Sequence, residues 1–197
     1  QVAIQGDEAF VQQADAQVAV PGIGHVGYDL VWSGGHYVLV DAEQVGLSPE
    51  AAGRPEGLAL AAGIIEAVQT DFNLYHPWLG DVGLPRFLHW QWPANEVAAG
   101  CWEAIGGTYG HPGVLWGCPT GTGTIARLAL LAHRGLAKAG TSLRNTSPSG
   151  TAFTATWLTT GRVGDWPSLR AKVQGEPTLV GQFELQVPLN KVLLTSR

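Results

Sequence analysis

The segment GCPTGTGTIARLALLAHRG, residues 117–135, limits the possible folds more than any other part of the chain. It sets glycines and hydroxyls directly against Ile125, Ala126, Leu128, Ala129, Leu130, Leu131 and Ala132. A helix that is apolar on nearly every side has no face to offer water, so it must be enclosed. The spacing predicts such a helix over 125–133. Gly135 stands at its C-terminal cap, with His133 and Arg134 in the negative last turn. At the other end, the first amide N–H groups lack intrahelical partners and the helix dipole is positive. Gly121 and Gly123 clear side chains from that mouth, and Thr120, Thr122 and Thr124 add hydroxyl donors. The segment therefore predicts a small carboxylate or phosphate held at the end of a buried helix.

Around this segment the chain reads as strands. Residues 9–20 and 25–32 suit consecutive antiparallel strands, and 36–40 suits a strand buried on both faces. Ser48, Pro49 and Glu50 carry a helix-start signature that Pro55 interrupts, so the main helix is predicted over 55–69. Further strands are predicted at 86–92, 104–106, 151–159, 171–173, 178–183 and 185–187, with a turn at 161–166. No internal repeat or low-complexity linker divides the chain. The expectation is one α+β unit, a curled, mostly antiparallel or mixed sheet around a central buried helix.

Composition narrows the function. Only 14% of residues are charged and 45% are hydrophobic, which suits a packed core. The net charge of −5 argues against a nucleic-acid or anionic-membrane partner. No apolar run reaches the roughly 18 residues a membrane helix needs. The two cysteines make no disulfide framework and the first residues do not read as a secretory leader, so a cytoplasmic setting is expected. The chain has no methionine and starts at Gln1, which suggests processing or a piece of something longer. The six histidines, His25, His36, His76, His89, His111 and His133, show no metal-binding spacing. Gly121-x-Gly123-x-x-Ala126 matches a dinucleotide fingerprint. It lacks the acidic residue about 20 positions on, and no single parallel strand–helix–strand unit is predicted around it. Neither a metal nor a cofactor is expected.

The string PTGTGTIARLALLAHRG resembles the second signature of the proline racemase family, usually Asp-Arg-Ser-Pro-Cys-Gly-Thr-Gly-Thr-Ser-Ala. VPGIGHVGYDLVWSGGHYVLVDAEQVGL is similar to that family's Gly-Gly-x-Phe-Tyr-Ala-Ile-Val-Asp-Ala strand region. DEAFV, NTSPSGTAFTATW and GEPTLVGQFEL follow in family order. The resemblance implies a diaminopimelate-epimerase-like fold in which residues 1–197 are the second, C-terminal domain. The first domain, with a catalytic Cys in a Cys-Gly-His context, lies outside this sequence. It further implies cofactor-free chemistry at the α-carbon of a proline-type amino acid, with the carboxylate between two helix N-termini. One residue from each domain faces the α-carbon, and the partner is the missing half or a second chain, with a homodimer expected.

In the family's racemases and epimerases both facing residues are Cys, whereas the trans-3-hydroxy-L-proline dehydratases have Thr at the second position. Thr120 occupies that position here. A hydroxyl is too weak an acid and base to exchange an α-proton as a thiolate does. The expectation is dehydration to a cyclic imine acid, with Thr120 holding or protonating the departing hydroxyl. Gly121, Thr122, Gly123 and Thr124 are predicted to bind the substrate. Trp116 stands where the family has Asp, and a cation–π contact with the substrate amine would be worth about 0.5–2 kcal/mol. Gly117 and Cys118 replace the family's Arg-Ser pair. Cys118 as a substitute base gives the first alternative, a racemase or epimerase variant; a non-catalytic carboxylate-binding or interaction domain is the second. His36, beside the Gly34–Gly35 turn, is predicted to line the cleft, with Asp41 structural and Gly181 and Gln182 at its border. Cys101 is expected to be buried without chemistry.

Overall fold

A computed structural model describes residues 1–186. Ten strands form one mixed sheet: β1 (Val2–Gln5), β2 (Phe10–Val20), β3 (Gly24–Trp32), β4 (His36–Asp41), β5 (Phe87–Ala98), β6 (Cys101–Gly110), β7 (Val114–Leu115), β8 (Ser142–Thr146), β9 (Ala152–Val163) and β10 (Trp166–Gly175). The order is β1-β10-β9-β8-β6-β5-β4-β3-β2, with β7 paired to β6. Two helices interrupt the strands, α1 (Pro55–Thr70) and α2 (Gly121–His133). Pairing is antiparallel except between β4 and β5 and between β6 and β8. Each parallel pair brackets one helix, as it must, because a chain needs a long crossover to return in the same direction.

The side-chain period of two divides this sheet into two cores. On β3 and β4, Val31, Tyr37 and Leu39 pack with α2 residues, whereas Leu30, Val38 and Val40 pack with α1 residues. The two helices therefore cover opposite faces. Residues 36–40 are buried on both faces, as their unbroken apolar run demanded. On α2, every residue from Gly123 to Leu131 is buried. Strands from both halves of the sheet, β2, β3 and β4 as well as β8, β9 and β10, pack against it. Ala9, just before β2, and Leu169 of β10 exchange backbone hydrogen bonds of 2.8 and 2.9 Å.

The expected sheet curled around one central helix is corrected. The path of hydrogen-bonded strands runs from β1 at one end to β2 at the other. A second helix, α1, has its own apolar face of Ala61, Ile64, Ile65 and Val68 and builds a second core. The parallel β6–α2–β8 unit was also not anticipated. One ground for setting aside the dinucleotide fingerprint thus falls. The other stands, because residues 140–145 still supply no acid.

Element boundaries follow local chemistry. Pro49–Ala51 forms a short 3₁₀ turn and α1 starts afresh at Pro55. Gly135 takes the left-handed φ of 72° that ends α2, and the N–H of Leu136 returns to the carbonyl of Leu131. Arg134 then ties this end to the sheet, contacting both carboxylate oxygens of Asp29 at 3.0 Å. The turn expected at 161–166 shrinks to Gly164–Asp165, because β9 and β10 continue to pair up to Val163 and Trp166. Residues 178–183 and 185–186 form no strand, and Val187 lies outside the described residues. Cys101 is exposed rather than buried. Among the described residues no helix is long and apolar enough to cross a membrane.

Leu128 is fully buried at the centre of the α2 core. Replacing it with Ala removes packing that the surrounding strands cannot refill. Leu128→Ala is expected to cost about 2–5 kcal/mol in urea unfolding. A loss below 1 kcal/mol would contradict a tightly enclosed α2.

Candidate functional site

Thr120 is the N-cap of α2, with extended φ and ψ of −89° and 138°. Its Oγ1 accepts the N–H of Gly123 at 3.2 Å, and its carbonyl accepts both the N–H of Thr124 at 2.9 Å and the Thr124 hydroxyl at 2.8 Å. Such a cap stabilises a helix by about 0.5–2 kcal/mol. It also narrows the anion site. Of the four amides expected to grip a ligand, those of Gly123 and Thr124 are satisfied within the protein. Those of Gly121 and Thr122 have no partner among the described residues. Thr124 is fully buried and turned inward, which removes its hydroxyl from the mouth.

Thr122 is exposed and held from the sheet side. Its hydroxyl lies 2.5 Å from the Tyr37 hydroxyl, and its carbonyl accepts from Ser33 Oγ at 2.8 Å. Burial raises the Tyr37 phenol above its usual range, against the opposing effect of the Thr122 and Thr120 hydroxyls. The Tyr37 phenol is thus protonated at neutral pH. Beside Gly121 and Thr122 opens a cavity of about 430 Å³, walled largely by Val2, Ile4, Ile125, Phe153 and Val173. Two unpaired amides at one end of an apolar hollow suit a small ring that carries a carboxylate. A larger cavity of about 670 Å³ lies between β2 and α1 and contains no residue of the mouth.

The other sequence-predicted residues scatter. His36 shares the strand parity of Val38 and Val40, so it faces the α1 side. There its Nε2 meets Gln12 Oε1 at 2.9 Å, and its ring stands edge-on to Trp32 and Phe72. It makes no contact with the mouth among those described, and Tyr37, one residue on, takes the place assigned to it. Trp116 is 45% exposed, and its indole lies against Gly110, where an added Cβ would sit 3.0 Å from Nε1. Cys118 is an exposed free thiol. The Gly117 carbonyl before it accepts from Ser147 Oγ at 3.1 Å and also from Ser149 Oγ. The β8–β9 turn therefore pins the approach to the mouth.

Gly123 has a different use from the one expected. A Cβ there would lie 2.4 Å from Thr120 Oγ1, 2.9 Å from Thr108 Oγ1 and 3.1 Å from His89 Nδ1. The glycine makes room for buried polar groups, not for a ligand. Thr108 Oγ1 is 2.8 Å from Thr120 Oγ1 and 2.9 Å from His89 Nδ1. Reading the sequence alone missed Thr108 and His89. Strand alternation could have flagged them, because both lie on the α2 face beside Leu88, Trp90 and Tyr109, which pack on the α1 side. No group of three or more His, Cys, Asp or Glu among the described residues could hold a metal.

Two histidines are held neutral. Burial and the neighbouring His76 push His36 down to about 4; burial and the Arg127 charge push His89 down to about 3. The unfolded chain binds these protons below about pH 6.5, and the folded chain does so only near the depressed values. The stability they contribute is complete above about pH 6.5 and is lost as pH falls toward 3. Unfolding free energy is expected to drop from pH 6.5 to 4, with a shallower drop in His36→Gln. An unchanged slope in that variant would contradict the assignment. Gly123→Ala is expected to lose about 1–3 kcal/mol in the same assay, because the added methyl meets three polar atoms.

The proline racemase family model matches residues 1–188. A 4-hydroxyproline 2-epimerase of Streptosporangium roseum is 32% identical over 180 residues, covering 91% of this chain and 53% of the relative. A trans-L-3-hydroxyproline dehydratase of Mus musculus is 31% identical over 182 residues, covering 91% of this chain and 50% of the relative. The crystal structure of a hydroxyproline epimerase from Agrobacterium vitis with bound trans-4-hydroxy-L-proline aligns with a TM-score of 0.74. Its identity is 27%, over 88% of this chain and 50% of that one. The chain thus spans about half the length of the relatives it matches.

Proposed function

The chain belongs to the proline racemase family, and we propose that it forms the second domain of a cofactor-free enzyme acting at the α-carbon of a proline-type amino acid. The domain is of the diaminopimelate-epimerase-like kind. The observation that carries this reading is the mouth of α2, where the unpaired Gly121 and Thr122 amides stand at the end of an apolar cavity. A pyrrolidine ring fits the apolar walls and its carboxylate fits the amides. Thr120 caps the same helix end and faces the reacting carbon.

The reaction we propose is dehydration of trans-3-hydroxy-L-proline. In that compound the hydroxyl is trans to the carboxylate, so it lies on the same ring face as the α-hydrogen. A thiolate of the complementary half removes that hydrogen and passes the proton to the departing hydroxyl on the same face. Water leaves, and the resulting enamine tautomerises to the cyclic imine acid. Thr120 stands on the opposite face, so it does not protonate the leaving group. Its part is to withhold a proton. A hydroxyl exchanges protons with carbon far more slowly than a thiol, and the intermediate is left to eliminate rather than invert.

The separate chain supplies two amides and one cap, worth about 3–4 kcal/mol of transition-state stabilisation. A 10⁶-fold acceleration needs roughly 8 kcal/mol, so we propose that turnover requires the complementary half, on the same polypeptide or a second one. A second reading rests on the exposed Cys118 thiol, two residues before Thr120. In it that thiol does the acid–base work of an epimerase.

Incubation with trans-3-hydroxy-L-proline, with the complementary half present, is expected to release one water per substrate, seen by mass spectrometry as the imine acid. Thr120→Cys is expected to add exchange of the α-hydrogen of 4-hydroxyproline in D₂O. Exchange in the parent protein that disappears in Cys118→Ser would favour the second reading. Binding of hydroxyproline without turnover, with both halves present, would exclude catalysis.

A further inference from the structure

His89 is fully buried on the α2 face of β5, and both ring nitrogens face positions kept clear by glycines. On the Nδ1 side is Gly123, where the imidazole meets Thr108. On the Nε2 side is Gly106, whose missing Cβ would lie 2.6 Å from Nε2, 2.7 Å from Asn145 Oδ1 and 3.1 Å from an Arg127 terminal nitrogen. Nε2 and Asn145 Oδ1 are both buried without a hydrogen-bond partner among the described residues. Such orphans are costly, and each atom faces the gap the other borders. No hydrogen bond joins the two atoms as they stand; an Nε2–H tautomer would place a donor in the gap that Oδ1 borders, with the Arg127 guanidinium already held by the Ile105 and Trp92 carbonyls. Asn145 Nδ2 already donates toward the Gly106 carbonyl at 3.4 Å, which fixes the amide with Oδ1 on the imidazole side.

The rest follows by counting donors and acceptors. With the hydrogen on Nε2, Nδ1 is an acceptor and must receive the Thr108 hydroxyl hydrogen. Thr108 Oγ1 is then the acceptor in its 2.8 Å contact, so Thr120 donates to it. One lone pair of Thr120 Oγ1 takes the Gly123 N–H. The Tyr37 hydroxyl also faces Thr120, but its close contact is with Thr122. Thr120 has spent its single hydrogen inward and keeps a lone pair for the mouth.

We propose that Thr108 and His89 are positioning residues that lock the Thr120 hydroxyl as a hydrogen-bond acceptor toward the occupant of the α2 mouth, through the buried chain Thr120–Thr108–His89–Asn145. This rests on reading Thr120 as the group that faces the substrate. The group it suits is a ring ammonium N–H of a cyclic amino acid. An acceptor there supplies a directed hydrogen bond to the ammonium, which the Trp116 indole does not, since its N–H only donates. The same lock keeps the Thr120 proton away from the α-carbon, which deepens the preference for elimination.

Two measurements test the chain independently. Long-range ¹H–¹⁵N NMR of the protein should find His89 as the Nε2–H tautomer. In Thr108→Val the Nδ1 resonance should shift toward that of an unbonded nitrogen, and Thr108→Ser should restore it. Finding the Nδ1–H tautomer, or no Nδ1 shift in Thr108→Val, overturns the proposal. In the turnover assay with both halves, Thr108→Val should lower kcat/KM by about tenfold to a hundredfold, chiefly through a raised KM, because the contact it supports is made to the bound substrate. Thr108→Ser should recover most of that loss. Parental kcat/KM in Thr108→Val sinks the lock while leaving the dehydratase reading intact. The expected tautomer and shift in a protein that never turns over hydroxyproline sinks the dehydratase reading and leaves the lock standing.

Discussion

Burial of α2 on every side is the constraint from which the site follows. A helix enclosed this fully cannot hand its terminal amides to water on its inner side, so the protein must supply partners there. Thr120 supplies one, by accepting the Gly123 N–H. What the enclosure leaves over is the outward pair, Gly121 and Thr122, at the end of the helix that borders the apolar cavity of about 430 Å³. The mouth is the remainder of a capping problem that the fold solved only on its inner side. Arg127 shows the same logic further along the helix. It is buried, and its two terminal nitrogens donate to the Trp92 and Ile105 carbonyls beside the register shift in β5.

The same threonine caps α2 and, in the proposed reading, also faces the ligand. Removing its hydroxyl uncaps α2 whatever that second role is. Loss of activity at Thr120 cannot be assigned to chemistry until folding has been measured alongside it. The glycines show a similar double use. Gly121 keeps the cavity side open, with Val173 as its nearest neighbour, whereas Gly123 and Gly106 give their space to an imidazole. A sequence rich in glycine near a helix start reads as ligand access, whereas at Gly123 the cleared space holds buried polar groups.

Much of the fold was legible because periodicity reports burial. The run 36–40, the restart at Pro55, the apolar helix and the Gly135 stop all rest on local chemistry that tertiary contacts did not override. The site was less legible, for two reasons. First, strand parity fixes which neighbour faces which helix, and parity cannot be assigned until it is known that two helices cover opposite faces. His36 was chosen for its position beside a glycine turn, yet Tyr37 reaches the mouth. Second, the polar groups under α2 come from the β5–β6 hairpin and from β8, which joins β6 only through the parallel crossover. Strand alternation marks His89 and Thr108 as lying under α2 only after the two faces have been assigned to their helices. The glycine–threonine run placed Thr120 at the helix mouth, where it is the N-cap, and geometry supplied its surroundings.

The central claim is that the two unpaired amides hold a carboxylate. The most direct measurement is a titration of the ¹⁵N-labelled protein with trans-3-hydroxy-L-proline, following backbone amide resonances. The account predicts saturable shifts largest at Gly121 and Thr122, smaller ones at the capped Gly123 and Thr124, and none for a hydroxypyrrolidine that lacks the carboxylate. Equal shifts with that neutral ring compound, or shifts confined to the cavity between β2 and α1, would contradict it.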